Sequence, residues 1–93
     1  MDVQKVIGWN VRRIRMDAGM TQEGLAERLG IANQGYVSEL EAGKRNPTAV
    51  LLAIIARALS CDVGELFRTN GIAHEWAAGP IQIRSTRTGK KEV

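Results

Sequence analysis

The chain contains a single cysteine, Cys61, so neither an internal disulfide nor a cysteine-built metal site can form. A secreted domain of this size usually needs such a staple, which makes a reducing, cytoplasmic setting the expectation. The single histidine, His74, stands beside Glu75 with no nearby Cys, Ser–Asp arrangement or paired carboxylates, and no glycine-rich phosphate loop is present. An enzyme is therefore not expected, nor a cofactor or a metal. Apolar runs are short as well: the longest, Ala49 to Ala56, is far from the ~20 residues of a membrane-spanning helix. No N-terminal stretch joins basic residues, an apolar run and a small-residue cleavage site, so a soluble protein without a membrane partner is expected. Aromatic side chains are scarce, at 4% of residues. The apolar content is mostly Ala, Val, Ile and Leu, which favours helices packed on helices.

What is present suits one domain, because 93 residues can bury a single core. Charge is unevenly placed. Residues 1–79 carry nine Lys/Arg against nine Asp/Glu, whereas residues 80–93 carry Arg84, Arg87, Lys90 and Lys91 against Glu92. The whole excess of +3 lies in the tail, where a basic run is either an electrostatic aid to nucleic-acid binding or a solvated, structureless end.

Helical punctuation is clear along the first two-thirds. Val3, Ile7, Val11 and Ile14 line one face of a helix over 3–18, with Asp2 as N-cap and Gly19 as stop. Thr21 caps a second helix that buries Leu25, Ala26 and Leu29 and ends at Gly30. Asn33 or Gln34 opens a third, with Val37 and Leu40 one turn apart, closed by Gly43. Two short helices separated by a few residues with a glycine are a helix-turn-helix in outline. After the polar loop 44–47, Pro47 and Thr48 start a fourth helix over Ala49–Leu59. Asp62 and Glu65 form a variant capping box ahead of a short fifth helix that offers Leu66 and Phe67 to the core. Beyond Asn70-Gly71 the signals weaken: one or two helical turns within Ile72–Ala78, alternation at Ile81 and Ile83, and disorder over 84–93.

The segments IGWNVRRIR, GMTQEGLAERLGI, QGYVSELEAGKRNP and LLAIIARALSCDVGELF together resemble the lambdoid-repressor-like, or Xre, family of bacterial and phage regulators over Ile7 to Phe67. The resemblance implies an all-α, five-helix domain with a central helix-turn-helix in residues 1–69. Residues 70–93 then form a short, partly disordered C-terminal extension, a brief helix followed by the basic tail. It further implies that helix two lies across the DNA backbone while helix three enters the major groove, where each base pair shows a distinct pattern of donors, acceptors and methyl groups.

On that resemblance Thr21 and Gln22, at the start of helix two, belong to the DNA-binding surface, and Gln22 matches a glutamine that bonds a backbone phosphate. Asn33, Gln34, Gly35, Tyr36, Ser38 and Glu39 face the groove. Gln34 falls where a primary amide can bond adenine through N6 and N7. Lys44, Arg45 and Asn46 are phosphate ligands in the following loop. Arg15 and Glu41 match a buried structural pair linking helix one to the end of helix three. The chain departs from the family in three ways: an extra residue around Ala32-Asn33, a glycine at Gly35 where relatives often carry a base-contacting side chain, and the acidic Glu39, which can accept from a cytosine N4 or be repelled by phosphate.

Helix four is apolar nearly all round. Leu52, Ile55, Ala56 and Leu59 cluster on one side of the wheel, and Val50, Leu51, Ile54 and Ala58 on the other. The second side calls for a cover, either another subunit or the chain's own segment around Trp76. The expectation is a two-fold homodimer using Val50, Leu51, Ile54, Ala58 and Trp76, with an inverted-repeat operator on double-stranded DNA. The function expected is a repressor or controller-type transcriptional regulator. The alternative is an antitoxin or other interaction module whose C-terminal region binds a partner protein.

Overall fold

A computed structural model describes residues 1–30 and 33–83. Among these the chain is all-helical: α1 Val3–Asp17, α2 Gln22–Leu29, α3 Gln34–Glu41, α4 Ala49–Ala58, a 3₁₀ turn Val63–Phe67, and α5 His74–Ala77. The disorder expected over 84–93 and the part of the inserted residue carried by Ala32 lie outside the described residues.

Local cap chemistry sets the helix starts. The Asp2 carboxylate accepts from Lys5 N–H at 3.2 Å, Thr21 Oγ from Gly24 N–H at 2.9 Å, Asn33 Oδ1 from Tyr36 N–H at 2.9 Å, and Thr48 Oγ from Leu51 N–H at 3.1 Å. Each satisfies a backbone donor that the first helical turn leaves open, a contribution of about 1 kcal/mol. Asn33 rather than Gln34 is thus the cap of α3. Gly30, at φ +71°, ends α2 in the left-handed conformation.

The expected inner faces meet in one core of Ile7, Val11, Leu25, Ala26, Leu29, Val37, Leu40, Ile55, Ala56, Leu59 and Leu66. Val3 and Ile14 pack at its edge. Each fully buried leucine or isoleucine contributes about 1.5–3 kcal/mol, so this cluster is what holds α2 and α3 in their mutual arrangement.

Several expectations are corrected. The fifth helix is a 3₁₀ turn, and the Asp62–Glu65 capping box does not form. Glu65 N–H donates instead to the Asp62 backbone carbonyl at 2.9 Å. The Glu65 carboxylate pairs with Arg68 at 3.2 Å and Arg13 at 3.8 Å. With three residues per turn, neighbouring side chains diverge by a third of a circle. Leu66 is consequently buried while Phe67, expected in the core, is 41% exposed. On α4 the wheel overstates the bare face: Leu51, Ile54 and Ala58 are half-buried against the chain's own core, and Val50 is 71% exposed. The segment around Trp76 does not cover α4 either. It packs on α1, where Asp2 N–H donates to the Trp76 carbonyl at 2.7 Å and Lys5 Nζ stands 5.3 Å from the ring centre. Trp9, on the same flank, carries Arg13 at 5.5 Å.

A buried polar residue absent from the sequence reading braces this arrangement. Asn10 is fully buried on α1. Its amide nitrogen lies 3.0 Å from the Val6 and Leu66 carbonyls and 2.8 Å from that of Arg68, and its oxygen accepts from Arg13 at 2.9 Å. The 3₁₀ turn is thereby tied to α1 through the Leu66 and Arg68 carbonyls.

Candidate nucleic-acid interface

The surface built by α2, α3 and the loop after α3 collects the residues singled out in the sequence. Asn33, Gln34, Gly35, Ser38 and Glu39 are exposed along α3, and Tyr36 is half-buried. Two shallow grooves flank the helix. One is lined by Thr21, Glu23, Gly24, Asn33 and Gln34, the other by Tyr36, Glu39, Lys44, Arg45 and Asn46. Trp76 lines a separate depression with Lys5, Trp9 and Arg12, and Val50 is exposed near the start of α4.

Behind the surface stands the ion pair. Arg15 Nε lies 2.6 Å from Glu41 Oε2 and Nη2 lies 3.0 Å from Oε1, a bidentate fork whose side chains are only 11% and 5% exposed. The third guanidinium nitrogen donates to the Met20 carbonyl at 2.7 Å, fixing the turn between α1 and α2.

The pair continues outward through two amides. Gln22 Nε2 donates to Glu41 Oε1 at 3.1 Å, and Gln34 Nε2 donates to Gln22 Oε1 at 3.2 Å. Because an ionised carboxylate only accepts, Gln22 must turn its NH₂ to Glu41 and its oxygen to Gln34. Gln34 must then turn its own NH₂ to Gln22. Its oxygen and second N–H are left for other partners, in an order set by Glu41. This relay was not legible in the sequence, where Gln22 and Glu41 belong to separate motifs 19 residues apart.

On the other flank Glu39 Oε1 accepts from Arg45 Nε at 2.8 Å, and the same guanidinium lies 5.0 Å from the Tyr36 ring centre. The acidic residue on α3 therefore has its charge offset locally. Both partners are about half exposed, and an exposed pair of this kind contributes ~0–1 kcal/mol, so Arg45 can exchange it for another anion at little cost. Burial pushes the Tyr36 phenol above its ordinary value, with Arg45 opposing. Burial and the nearby Glu65 and Asp62 raise the Cys61 thiol, so it has little thiolate character. His74 is exposed at the start of α5. Among the described residues no group of three or more His, Cys, Asp or Glu is placed to hold a metal ion, and no helix is long and apolar enough to cross a membrane.

Comparison with known proteins agrees with this geometry. Residues 11–66 match the sequence model of a helix-turn-helix family. The chain is 44% identical over 66 residues to an HTH-type transcriptional regulator, y4dJ, of Sinorhizobium fredii, covering 71% of this chain and 84% of that protein. It is 35% identical over 75 residues to the control protein C.SmaI of Serratia marcescens, covering 81% and 88%. Among solved structures, the restriction-modification controller protein C.AhdI of Aeromonas hydrophila superposes with a TM-score of 0.65 at 34% identity, over 69% of this chain and 91% of that one. The chain therefore belongs to the helix-turn-helix family of Xre-type DNA-binding transcription regulators.

Proposed function

We propose that the protein is a sequence-specific repressor or controller-type regulator, without enzymatic activity, that acts in the cytoplasm and binds an inverted-repeat operator as a homodimer. The observation that carries this reading is the amide order at Gln34. Its free oxygen and free N–H form an acceptor–donor pair on an exposed side chain at the first residue of α3, matching the N6 donor and N7 acceptor of adenine in the major groove. Gly35 beside it lets the backbone approach closely. Thr21 and Gln22 at the start of α2, with Lys44, Arg45 and Asn46 beyond α3, sit on both sides of the reader, as phosphate ligands of the two groove walls would. Tyr36, Ser38 and Glu39 complete the groove-facing surface. The controller reading draws on C.SmaI and C.AhdI, whose names describe that role.

Binding to duplexes selected from random sequence tests this division of labour. Gln34→Ala should cost about 1–3 kcal/mol on the preferred site and relax the choice at one base position. Lys44→Ala should weaken all sequences alike and lower the salt slope by about 1. Equal effects of the two substitutions on specificity and slope would reject the assignment, and the absence of duplex binding in dilute salt would reject the function.

The homodimer rests on the apolar surface left on α4 and the 3₁₀ turn, which pack together. Val50 is 71% exposed, and Val63 and Phe67 each 41%, while Leu51, Ile54 and Ala58 stand half-buried at the rim of the core. A two-fold axis through that surface would present two α3 helices to successive major grooves about 34 Å apart. Trp76, in α5 and packed against the start of α1, is not part of that surface. Sedimentation at tens of micromolar should show a dimer that Val50→Asp converts to monomer. A monomer for the unmodified chain rejects the symmetric arrangement.

A further inference from the structure

We propose that the depression between α1, α5 and the end of α3 is a binding site for a small aromatic carboxylate, a single ring that carries one negative charge. Lys5, Trp9 and Arg12 follow one another on α1 at intervals of four and three, which puts them on one helical face. Trp76 of α5, with Glu41 and Ala42 at the end of α3, completes the lining. The space measures about 190 Å³. A cavity of ~150 Å³ holds benzene, whereas sites for drug-sized ligands run to ~300–1,000 Å³. One ring and its carboxylate therefore suit this space better than a nucleotide or a peptide.

The lining has an aromatic half and a cationic half. The chain has two tryptophans, and both are here, half-buried. Indoles give a ligand ring apolar area and edge or stacking contacts at little entropic cost. The cations select its charge. Lys5 Nζ stands 5.3 Å from the Trp76 ring centre, where the indole replaces part of its hydration without neutralising it. Arg12 Nε bonds the Met16 sulfur at 3.4 Å, a weak acceptor for a guanidinium. Among the described residues neither Lys5 nor Arg12 has a carboxylate within 4 Å. Glu41, the acid in the lining, is already matched: Arg15 holds both its oxygens at 2.6 and 3.0 Å, and Gln22 donates to one at 3.1 Å. A ligand carboxylate on Lys5 and Arg12, with its ring against the indoles, answers both halves of the lining, as convergent polar groups in a largely apolar pocket do elsewhere. No part of this depends on the DNA-binding reading above.

The test uses the full chain without DNA and three probes: benzoate, its neutral analogue benzamide, and inorganic phosphate, which has charge but no ring. Because both tryptophans line the site, their two indole N–H signals in a nitrogen-15 NMR spectrum report binding directly. Benzoate is expected to shift both signals and to saturate at about millimolar concentration, as the size of the ligand allows. Benzamide and phosphate should each bind about tenfold more weakly or worse, since each lacks one half of the recognition. Arg12→Gln and Lys5→Gln should each weaken benzoate about tenfold. Arg12 is exposed, so its variant keeps the fold if the Lys5 variant does not. Arg57→Gln, which removes an exposed cation from α4, should leave benzoate binding unchanged. Indole signals that do not move with benzoate overturn the site. Benzamide binding as well as benzoate overturns the role of the two cations, as does equal loss in the Arg57 and Arg12 variants. Phosphate binding as tightly as benzoate overturns the ring requirement and turns Lys5 and Arg12 into ligands for a backbone phosphate of duplex DNA.

Discussion

Replacing Gly8 by alanine is expected to destabilise the protein by about 3 kcal/mol, at the upper end of the overpacking range. Intrinsic propensity argues the opposite sign, since alanine in a helix interior is favoured over glycine by ~1 kcal/mol. Packing decides the matter. Gly8 is buried where α1 crosses the end of α3, and a Cβ there would lie 2.7 Å from the Glu41 carbonyl oxygen, with the Leu40 carbonyl oxygen nearer still. Both are backbone atoms and cannot rotate aside. α1 would have to withdraw from α3, loosening Ile7 from Leu40 and stretching the Arg15–Glu41 pair. Thermal unfolding followed by circular dichroism should show Tm lower by more than about 10 °C, given ~4–8 °C per kcal/mol for a domain of this size. Gly64→Ala serves as the control, because nothing lies within 4 Å of its added Cβ, and it should leave Tm nearly unchanged. A Gly8→Ala variant as stable as the parent would show that the two helices have room the structure denies them.

Gly8 also marks the boundary of what the sequence could disclose. The elements that were legible depend on neighbours a turn away: Thr21 on Gly24, Thr48 on Leu51, the left-handed Gly30, and the three-to-four spacing of Leu25, Leu29, Val37 and Leu40. Short-range chemistry writes itself into short stretches of chain. What was missed depends on distant partners. Gly8 meets carbonyls 32 and 33 positions on, and Asn10 bonds carbonyls 56 and 58 positions on. The Asp62–Glu65 box had the right residue types, but burial of Leu66 under α1 and α4 favoured the tighter 3₁₀ turn. Helical wheels gave the direction of side chains on α4 but not their depth, so Leu51, Ile54 and Ala58 read as bare when they line the rim of the core. The candidate site divides in the same way: its members came from the family's pattern, while the order in which their hydrogen bonds run came only from the fold.

Arg15→Ala is expected to cost about 3–5 kcal/mol, because it strands the Glu41 carboxylate, 5% exposed, without its countercharge. Against a total stability of ~5–15 kcal/mol for a small domain, that is enough to shift the unfolding midpoint by more than about 12 °C. The pair Arg15→Met with Glu41→Leu should recover most of the loss, since packed apolar groups replace a buried ion pair at little or no net cost. Stability and readout then separate. Without Glu41 nothing obliges Gln22 to present its oxygen to Gln34, and the acceptor–donor order at Gln34 is no longer fixed. The double variant should accordingly fold, bind duplex with an unchanged salt slope, and discriminate less well at the base position that Gln34 reads. Urea denaturation and competition between the selected site and its single-base variants measure the two halves. A double variant that keeps full discrimination would reduce Glu41 to a structural residue, and a single variant no less stable than the double would mean that the carboxylate finds water where the structure leaves none.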